Sequence, residues 1–373
     1  MQVNLCAPFQ DFSGYGEFAR FFAYALNHVG VKITCENITL PISVKDAPDF
    51  GIKGALIKHR TVLKPPASDV NIVFMIPSLF RAFKRKQCKF NIGFTMFEAD
   101  SLPESWVPLC NEMDAIIVPS EWNRLGFIKS GVTVPIFVVP AGIVTQEYQK
   151  AEVLKDEKFS FYSIFQWVER KNPLALIKAY CVAMQGKDDV QLVLKSYVDT
   201  RVDNSKALIS QEIQRIRKEL KLKSYPEIRL LTDKMTTKEV SLLHQKCHVL
   251  VSPHRAEGWN MPLMEAMAWG NASIVTDYSG STAFTDKSTN ILLPYFLTPC
   301  LSTDGLAPFY TGDMRWAEPN MEHLISAFQT LYQDRVLNES IGNAARKKIL
   351  DNNNQSSSGY RLKEVLRKIV GQE

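Results

Sequence analysis

The chain has 373 residues, of which 46% are hydrophobic and 22% charged, with a formal net charge of +5. That is enough apolar material for two domains with separate cores, and the mild charge gives no sign of a nucleic-acid partner while being compatible with peripheral attraction to an anionic membrane surface. No apolar run approaches the ~20 residues that cross a bilayer, no basic segment leads into an apolar run as in a signal peptide, and the seven cysteines stand singly, as reduced core thiols of a cytoplasmic protein do, not as a disulfide or zinc framework.

Strand-like and helix-like segments alternate along the chain. Val3–Pro8 is apolar enough for a buried strand. Glu17–Val29 follows as a helix, with Phe18, Phe21, Phe22, Ala25 and Leu26 on a helical period and Gly30 to stop it. Val31–Ile38 and Val70–Ile76 are strands, and the polar, proline-containing stretch between them has no assignable pattern, so residues 39–89 carry no expected role. Phe90–Met96, Ala115–Pro119 and Ile136–Pro140 are strands, separated by helices over Trp106–Met113 and Glu121–Ser130. Val144–Lys158, rich in Glu and Lys, reads as a linker and hinge.

A second series then begins. Strands are expected at Phe159–Ile164, Val190–Ser196, Ile228–Leu231, His248–Ser252 and Ala272–Thr276. Asn172 stands as N-cap before Pro173 for a helix to Met184. Lys206–Leu222 is amphipathic, with Leu208, Ile209, Ile213, Ile216 and Leu220 inward. Thr236 and Glu239 have capping-box spacing, and a helix over Pro262–Trp269 is stopped by Gly270. After a polar break at Asp351–Gly359, Tyr360–Val370 closes the chain as an amphipathic helix. Repeated strand–helix–strand units make parallel sheets covered on both faces. The fold class is therefore α/β, with two doubly wound domains, 1–150 and 151–357, and a tail helix over 358–373. Ligands of such sheets bind beyond the carboxyl ends of the strands.

Ser252–Gly270 is the most informative of these strand ends. Glu257 precedes Gly258 in the loop, followed by Trp259 and Asn260. Glu265 is the lone charge in an otherwise apolar helix, Pro262–Trp269, which should be buried nearly all round. A buried carboxylate needs donors. Helix-end amides, a core cation or the hydroxyls of a ligand would each serve. His254 and Arg255, at the same strand end, would contact a diphosphate or sugar, or form a salt-bridged loop. Arg170 and Lys171 end the loop Gln166–Asn172, just before a helix N-terminus, where backbone amides already favour an anion.

The two glutamates seven residues apart, with the Glu257-Gly258 pair, the segment Leu263–Ala268 and the closing Gly270, resemble the E-x7-E signature of retaining glycosyltransferases of the GT-B fold, particularly family 4. The resemblance implies two Rossmann-like domains facing across a cleft and transfer of a hexose from a UDP- or GDP-sugar to a hydroxyl acceptor. It implies that Glu257 orients the donor hexose and Glu265 binds the ribose. Lys171 matches the family lysine that neutralises diphosphate; the family's Gly-Arg is replaced by Phe165-Gln166, so Arg170 would supply the second charge. Gly258, Trp259, Asn260 and His254 are counted with the donor-binding residues, and Glu98 with the catalytic ones, as a strand-end carboxylate that orients the acceptor. Ser279-Gly280-Ser281 is similar to the family's phosphate-binding turn but lacks its Gly-Gly and Glu. The acceptor implied is a glycan, a lipid-linked glycan or a protein, with no cofactor and no metal, since no His/Asp/Cys grouping has ligand spacing.

Gly14-Tyr15-Gly16-Glu17-Phe18-Ala19 also fits the relaxed dinucleotide fingerprint G-x-G-x-x-A, with Glu36 placed to meet a ribose. An NAD-dependent oxidoreductase is thus one rival. A GT-B sugar-nucleotide epimerase and a non-catalytic sugar-nucleotide-binding module are others. In the glycosyltransferase reading, Gly14 and Gly16 let a donor phosphate or acceptor approach backbone amides.

Overall fold

The computed structural model describes residues 1–39, 49–149, 155–198, 204–302 and 307–371. Part of the expected linker, 150–154, lies outside them, as does part of the unassigned stretch, 40–48. Two compact units emerge. Unit 1 comprises Met1–Glu147, Gly258–Met261 and Leu350–Glu373; unit 2 comprises Tyr148–Glu257 and Pro262–Ile349.

Unit 1 runs β1 (Gln2–Ala7), α1 (Gly14–His28), β2 (Lys32–Asn37), α2 (Gly51–Arg60), β3 (Val70–Phe74), α3 (Phe80–Phe83), β4 (Phe90–Phe94), α4 (Val107–Asn111), β5 (Ala115–Val118), α5 (Glu121–Lys129) and β6 (Ile136–Val138). Its six strands pair in the order β2-β1-β3-β4-β5-β6, all parallel. Short runs such as Ala115–Val118 and Val70–Phe74 are buried at every residue, as strands covered on both faces must be. The core on one face is aromatic. Phe18 stacks on Phe74 at 5.1 Å, and Phe22 meets Phe94 edge-on at 4.9 Å. Within the sheet a buried amide ladder crosses the strands: Asn4 Nδ2 donates to Asn71 Oδ1 (2.9 Å), and Asn71 Nδ2 to Asn91 Oδ1 (3.0 Å).

Unit 2 begins β7 (Phe159–Gln166), α6 (Pro173–Ala183), β8 (Val190–Tyr197), α7 (Ser205–Leu220), β9 (Glu227–Leu231), α8 (Thr237–Lys246), β10 (Val249–Ser252), α9 (Met261–Trp269), β11 (Ala272–Thr276) and β12 (Ile291–Leu293). The order β12-β11-β10-β7-β8-β9 is parallel throughout. It is the doubly wound order of a dinucleotide-type fold, with its reversal between β7 and β10. The fold class expected from the alternation of elements is therefore the observed one. Beyond it come an unanticipated antiparallel hairpin, β13 (Tyr295–Pro299) with β14 (Arg315–Pro319), and two helices, α10 (Met321–Gln333) and α11 (Arg335–Asn352). The last element, α12 (Gln355–Val370), packs on α1 in unit 1, with Lys363 Nζ donating to the Val29 carbonyl (2.8 Å).

Several expected boundaries shift for local reasons. Helix α1 starts at Gly14, three residues before the apolar period begins, because Ser13 leaves helical geometry and serves as N-cap position. Helix α12 starts at Gln355, not Tyr360. Asn354 caps it by accepting from Ser356 and Ser357 backbone amides, so part of the polar break is helix entry. Asn172 precedes α6 as foreseen but adopts the left-handed region (φ 57°) and makes no side-chain cap. Leu208, expected inward on α7, is exposed, whereas Ile209, Ile213 and Ile216 are buried. The Thr236–Glu239 capping box opens α8 as the spacing requires. All seven cysteines are free and buried.

Candidate functional site

The reversal between β7 and β10 is where two neighbouring strands send their chains to opposite faces, leaving a crevice beyond their carboxyl ends. These strands pair only at Phe161–Tyr162 with Val249–Leu250. Past that point Ser163 Oγ donates to the Val251 carbonyl (2.7 Å). The loops that leave the two strands, Trp167–Asn172 and Pro253–Glu257, carry Arg170, Lys171, His254, Arg255 and Glu257.

The structure brings Glu257, Lys171 and Arg170 together. Lys171 Nζ lies 2.5 Å from Glu257 Oε1, and Arg170 donates to Glu257 Oε2 (3.1 Å) and to the Ala256 carbonyl (2.9 Å). The Glu257 side chain is 7% exposed, that of Lys171 18%. One carboxylate between two cations leaves the cluster with a surplus positive charge. Burial by itself would raise the Glu257 carboxyl, but the charges of Lys171 and Arg170, with His254, outweigh it and hold it at about 2. The Glu257 backbone is fixed too. Its amide donates to Ser279 Oγ (2.8 Å), and its carbonyl accepts from Gly280 N (2.9 Å). The Ser279–Ser281 turn, doubtful from its departures, thus buttresses Glu257, with Ser279 at φ 69°.

His254 is wholly inside. Nδ1 meets Ser252 Oγ (3.1 Å), and Nε2 meets the Tyr278 carbonyl and Ser281 Oγ (each 3.3 Å). A carbonyl only accepts, so Nε2 carries the hydrogen and Nδ1 accepts. Burial pushes this imidazole down to about 4, which keeps it neutral near pH 7. Arg255 forms the salt-bridged loop that was one of its two readings. It pairs with Glu169 and Glu318, and its amide donates to the Arg170 carbonyl (2.8 Å). Glu318, on β14, also accepts from Asn172 Nδ2 (3.1 Å), so one carboxylate braces both loops. No local pattern marks Glu318, because it acts across 146 residues of chain.

Glu265 corrects the expectation of a fully buried charge. It stands on α9, which is otherwise buried nearly all round, but its own side chain is 15% exposed. Its Oε2 lies 3.5 Å from His244 Nε2. Gly258, Trp259 and Asn260 group with unit 1. The Gly258 carbonyl accepts from Asn123 Nδ2 (3.1 Å), and a Cβ at Gly258 would overlap the Met96 side chain. Trp259 is buried, and Asn260 is held at φ 81°.

Glu98, Gly14 and Gly16 belong to unit 1. Glu98 follows β4 and is half-buried. Both glycines lie in the first turns of α1 instead of in a preceding loop. Gly16 is required by packing, since a Cβ would overlap the Asp11 carbonyl oxygen; Gly14 has open space around it. Glu36, the carboxylate of the dinucleotide reading, is engaged by the Arg85 guanidinium and by Cys6 Sγ (2.9 Å). Among the described residues no group of three or more His, Cys, Asp or Glu could hold a metal ion, and no helix is long and apolar enough to cross a membrane.

Residues 144–292, which contain all of the β7/β10 site, match the family Glycosyl transferases group 1. A search of curated proteins finds no match. Among solved structures, a sucrose-phosphate synthase from Thermosynechococcus elongatus is similar over 100% of both chains (TM-score 0.70, 13% identity). A glycosyltransferase from Rickettsia africae covers 100% of this chain and 99% of its own (TM-score 0.69, 13% identity). The Anabaena protein HepE, solved with UDP and glucose, covers 99% and 100% (TM-score 0.67, 12% identity). At such identities the likeness establishes the fold, the GT-B arrangement of two Rossmann-like units. Residues 144–292 thus carry the match to the glycosyl transferases group 1, and with it the chain is a glycosyltransferase.

Proposed function

We propose that this glycosyltransferase moves a hexose from a nucleoside-diphosphate sugar, with UDP-glucose as the first donor to try, to a hydroxyl of a glycan or lipid-linked glycan, with retention at the anomeric carbon. The observation that carries the reading is the Glu257–Lys171–Arg170 cluster at the strand reversal of unit 2. HepE, on the same fold, is described with UDP and glucose.

Unit 2 is the donor unit in this reading, and unit 1 serves the acceptor. A diphosphate brings negative charge to the cluster's surplus cation. Lys171 takes the diphosphate, and Arg170, tied to the Ala256 carbonyl, keeps Glu257 in place. Preorganised charge of this kind acts on the leaving group as it develops. Glu257, ionised at any working pH, accepts from hexose hydroxyls. Glu265 accepts from the ribose. The bond from the anomeric carbon to the leaving phosphate oxygen breaks while the acceptor oxygen bonds to the same face. The acceptor proton passes to that phosphate oxygen. Glu98 orients the acceptor hydroxyl, and Gly14 and Gly16 hold backbone amides open. His254, Trp259 and Asn260 shape the donor loop. Two cationic side chains do what a divalent ion would otherwise do, so chelation by EDTA is expected to leave the rate unchanged.

The test is thermal denaturation with UDP-, GDP- and ADP-sugars and NAD(H), on wild type and Glu265→Ala. A native-state ligand at 100 times its Kd adds about 2.7 kcal/mol. Stabilisation by one nucleotide-sugar class, lost in the variant, is the expected result. Stabilisation by NAD(H) alone, unchanged in the variant, overturns the reading. NMR of the product's anomeric configuration decides retention.

A further inference from the structure

Behind Glu265 lies a relay of polar groups, buried except for the exposed Lys155 at its far end, that the reading above does not use. His244, on α8, is 1% exposed. Its Nδ1 lies 2.7 Å from Tyr162 Oη, in the middle of β7. Asn271, following α9, donates through Nδ2 to Tyr162 Oη (2.8 Å) and to the His244 carbonyl (2.6 Å). Lys155 Nζ donates to Asn271 Oδ1 (2.8 Å) and to the Cys247 carbonyl (2.5 Å).

These contacts determine where each hydrogen sits. An ammonium only donates, so the Asn271 atom facing Lys155 is its oxygen, and Nδ2 faces Tyr162. Tyr162 Oη, accepting from Asn271, directs its single hydrogen to His244 Nδ1. In the neutral imidazole Nδ1 is then the acceptor and Nε2 carries the hydrogen. That Nε2–H is buried and makes no hydrogen bond among the described residues. It faces Glu265 Oε2 at 3.5 Å. A buried donor left unmade is costly, and hydrogen bonds of a functional site are often long before ligand arrives and tighten in the complex.

We propose that His244 is a positioning residue for Glu265: its Nε2–H, fixed by the Lys155–Asn271–Tyr162 relay, closes to a hydrogen bond on the rear carboxylate oxygen when the donor is bound and turns the other oxygen to the ribose. This rests on the assignment of Glu265 to the donor. The same relay excludes the alternative tautomer, whose lone pair at Nε2 would repel the carboxylate. Sequence spacing does not reveal the pair, because His244 and Glu265 stand on different helices, α8 and α9.

The test compares His244→Gln, which carries an N–H out to the Nε2 position, with His244→Asn, which reaches only the Nδ1 position. Melting temperatures of both are measured beside UDP-glucose kinetics. The expected result is a donor KM near wild type for Gln and raised about ten-fold for Asn, as for a lost bond to a charged group, with kcat within about two-fold and similar melting temperatures. In ¹⁵N-histidine NMR of wild type, His244 is expected as the Nε2–H tautomer, with that proton shifting when UDP-glucose is added. Equal KM values for Gln and Asn, or an Nδ1–H tautomer, overturn the inference. Glu265→Ala separates the two levels. A raised donor KM there with an unchanged one in His244→Asn defeats only the positioning role, whereas an unchanged KM in Glu265→Ala removes the donor reading and this role with it.

Discussion

Glu257 is both a stability element and the centre of the candidate site, and the two roles predict different outcomes. Replacing it by Ala removes the carboxylate that Lys171 and Arg170 share. A loss of about 2–3 kcal/mol is expected, the scale of hydrogen bonds to charged groups, read as a lower melting temperature. With the carboxylate's negative charge removed, UDP should bind at least as tightly as in wild type while turnover of UDP-glucose collapses. Isothermal titration with each ligand checks this, and weaker UDP binding would count against the cluster as a diphosphate site. Lys171→Ala should instead lower kcat by about 10²–10³-fold, the range found when one preorganised donor is removed. His254 adds a pH signature. Its folded pKa of about 4 lies below the 6.5 of the unfolded chain, so the unfolded state binds more protons between those values. The stability it contributes is complete above pH 6.5 and disappears as pH falls towards 4, about 3 kcal/mol in all. Denaturant midpoints across pH 4–7 should show that slope, reduced in His254→Gln. At this scale the sequence displayed the residue types and spacings of Glu257, Glu265 and Lys171. It gave no means to foresee that Lys171 and Arg170 both sit on Glu257, that Glu318 braces both loops, or that His244 stands behind Glu265, since all three are contacts between distant segments.

At the level of elements, close approaches explain glycines that motif reading had given to a ligand. The turn after β1 folds back so that the Asp11 carbonyl lies where a side chain at position 16 would be, and Arg20 donates to the same carbonyl (2.8 Å). Gly16→Ala is expected to cost about 1–3 kcal/mol through overpacking. Gly14→Ala, with open space at that position, should leave the melting temperature unchanged or raise it through the unfolded state. Equal losses in both variants would mean that the two glycines act as one motif. Helix α1 was readable from its phenylalanine period, and α9 from its unbroken apolar run. The hairpin β13–β14 and helix α10 went unread: Tyr295, Phe296 and Leu297 are exposed at 40%, 58% and 51%, so β13 lacks the alternation by which a half-buried strand is recognised.

For the molecule as a whole, the two units differ in what a ligand should do to them. If unit 2 holds the donor, UDP should slow amide exchange at Val168–Asn172, His254–Glu257 and Ser279–Ser281, with the interior of the unit 1 sheet unchanged. Exchange mass spectrometry reads this directly, and protection centred on Gly14–Ala19 instead would return the site to the dinucleotide reading. The alternation of strands and helices, and hence two parallel, doubly wound sheets, was determined by the sequence alone, because burial on both faces writes itself into local composition as short apolar runs between amphipathic helices. The positions of Glu257 and Lys171 were likewise legible, because each lies five residues past a strand end. Strand order was decided only by the tertiary structure. Only there does β10 come to lie beside β7, across 82 or more residues of chain, so that the loops after both strands meet. The charge state of Glu257, the tautomers of His254 and His244 and the bracing by Glu318 follow from that juxtaposition. They depend on burial and on partners brought together through space, which no local stretch of sequence encodes.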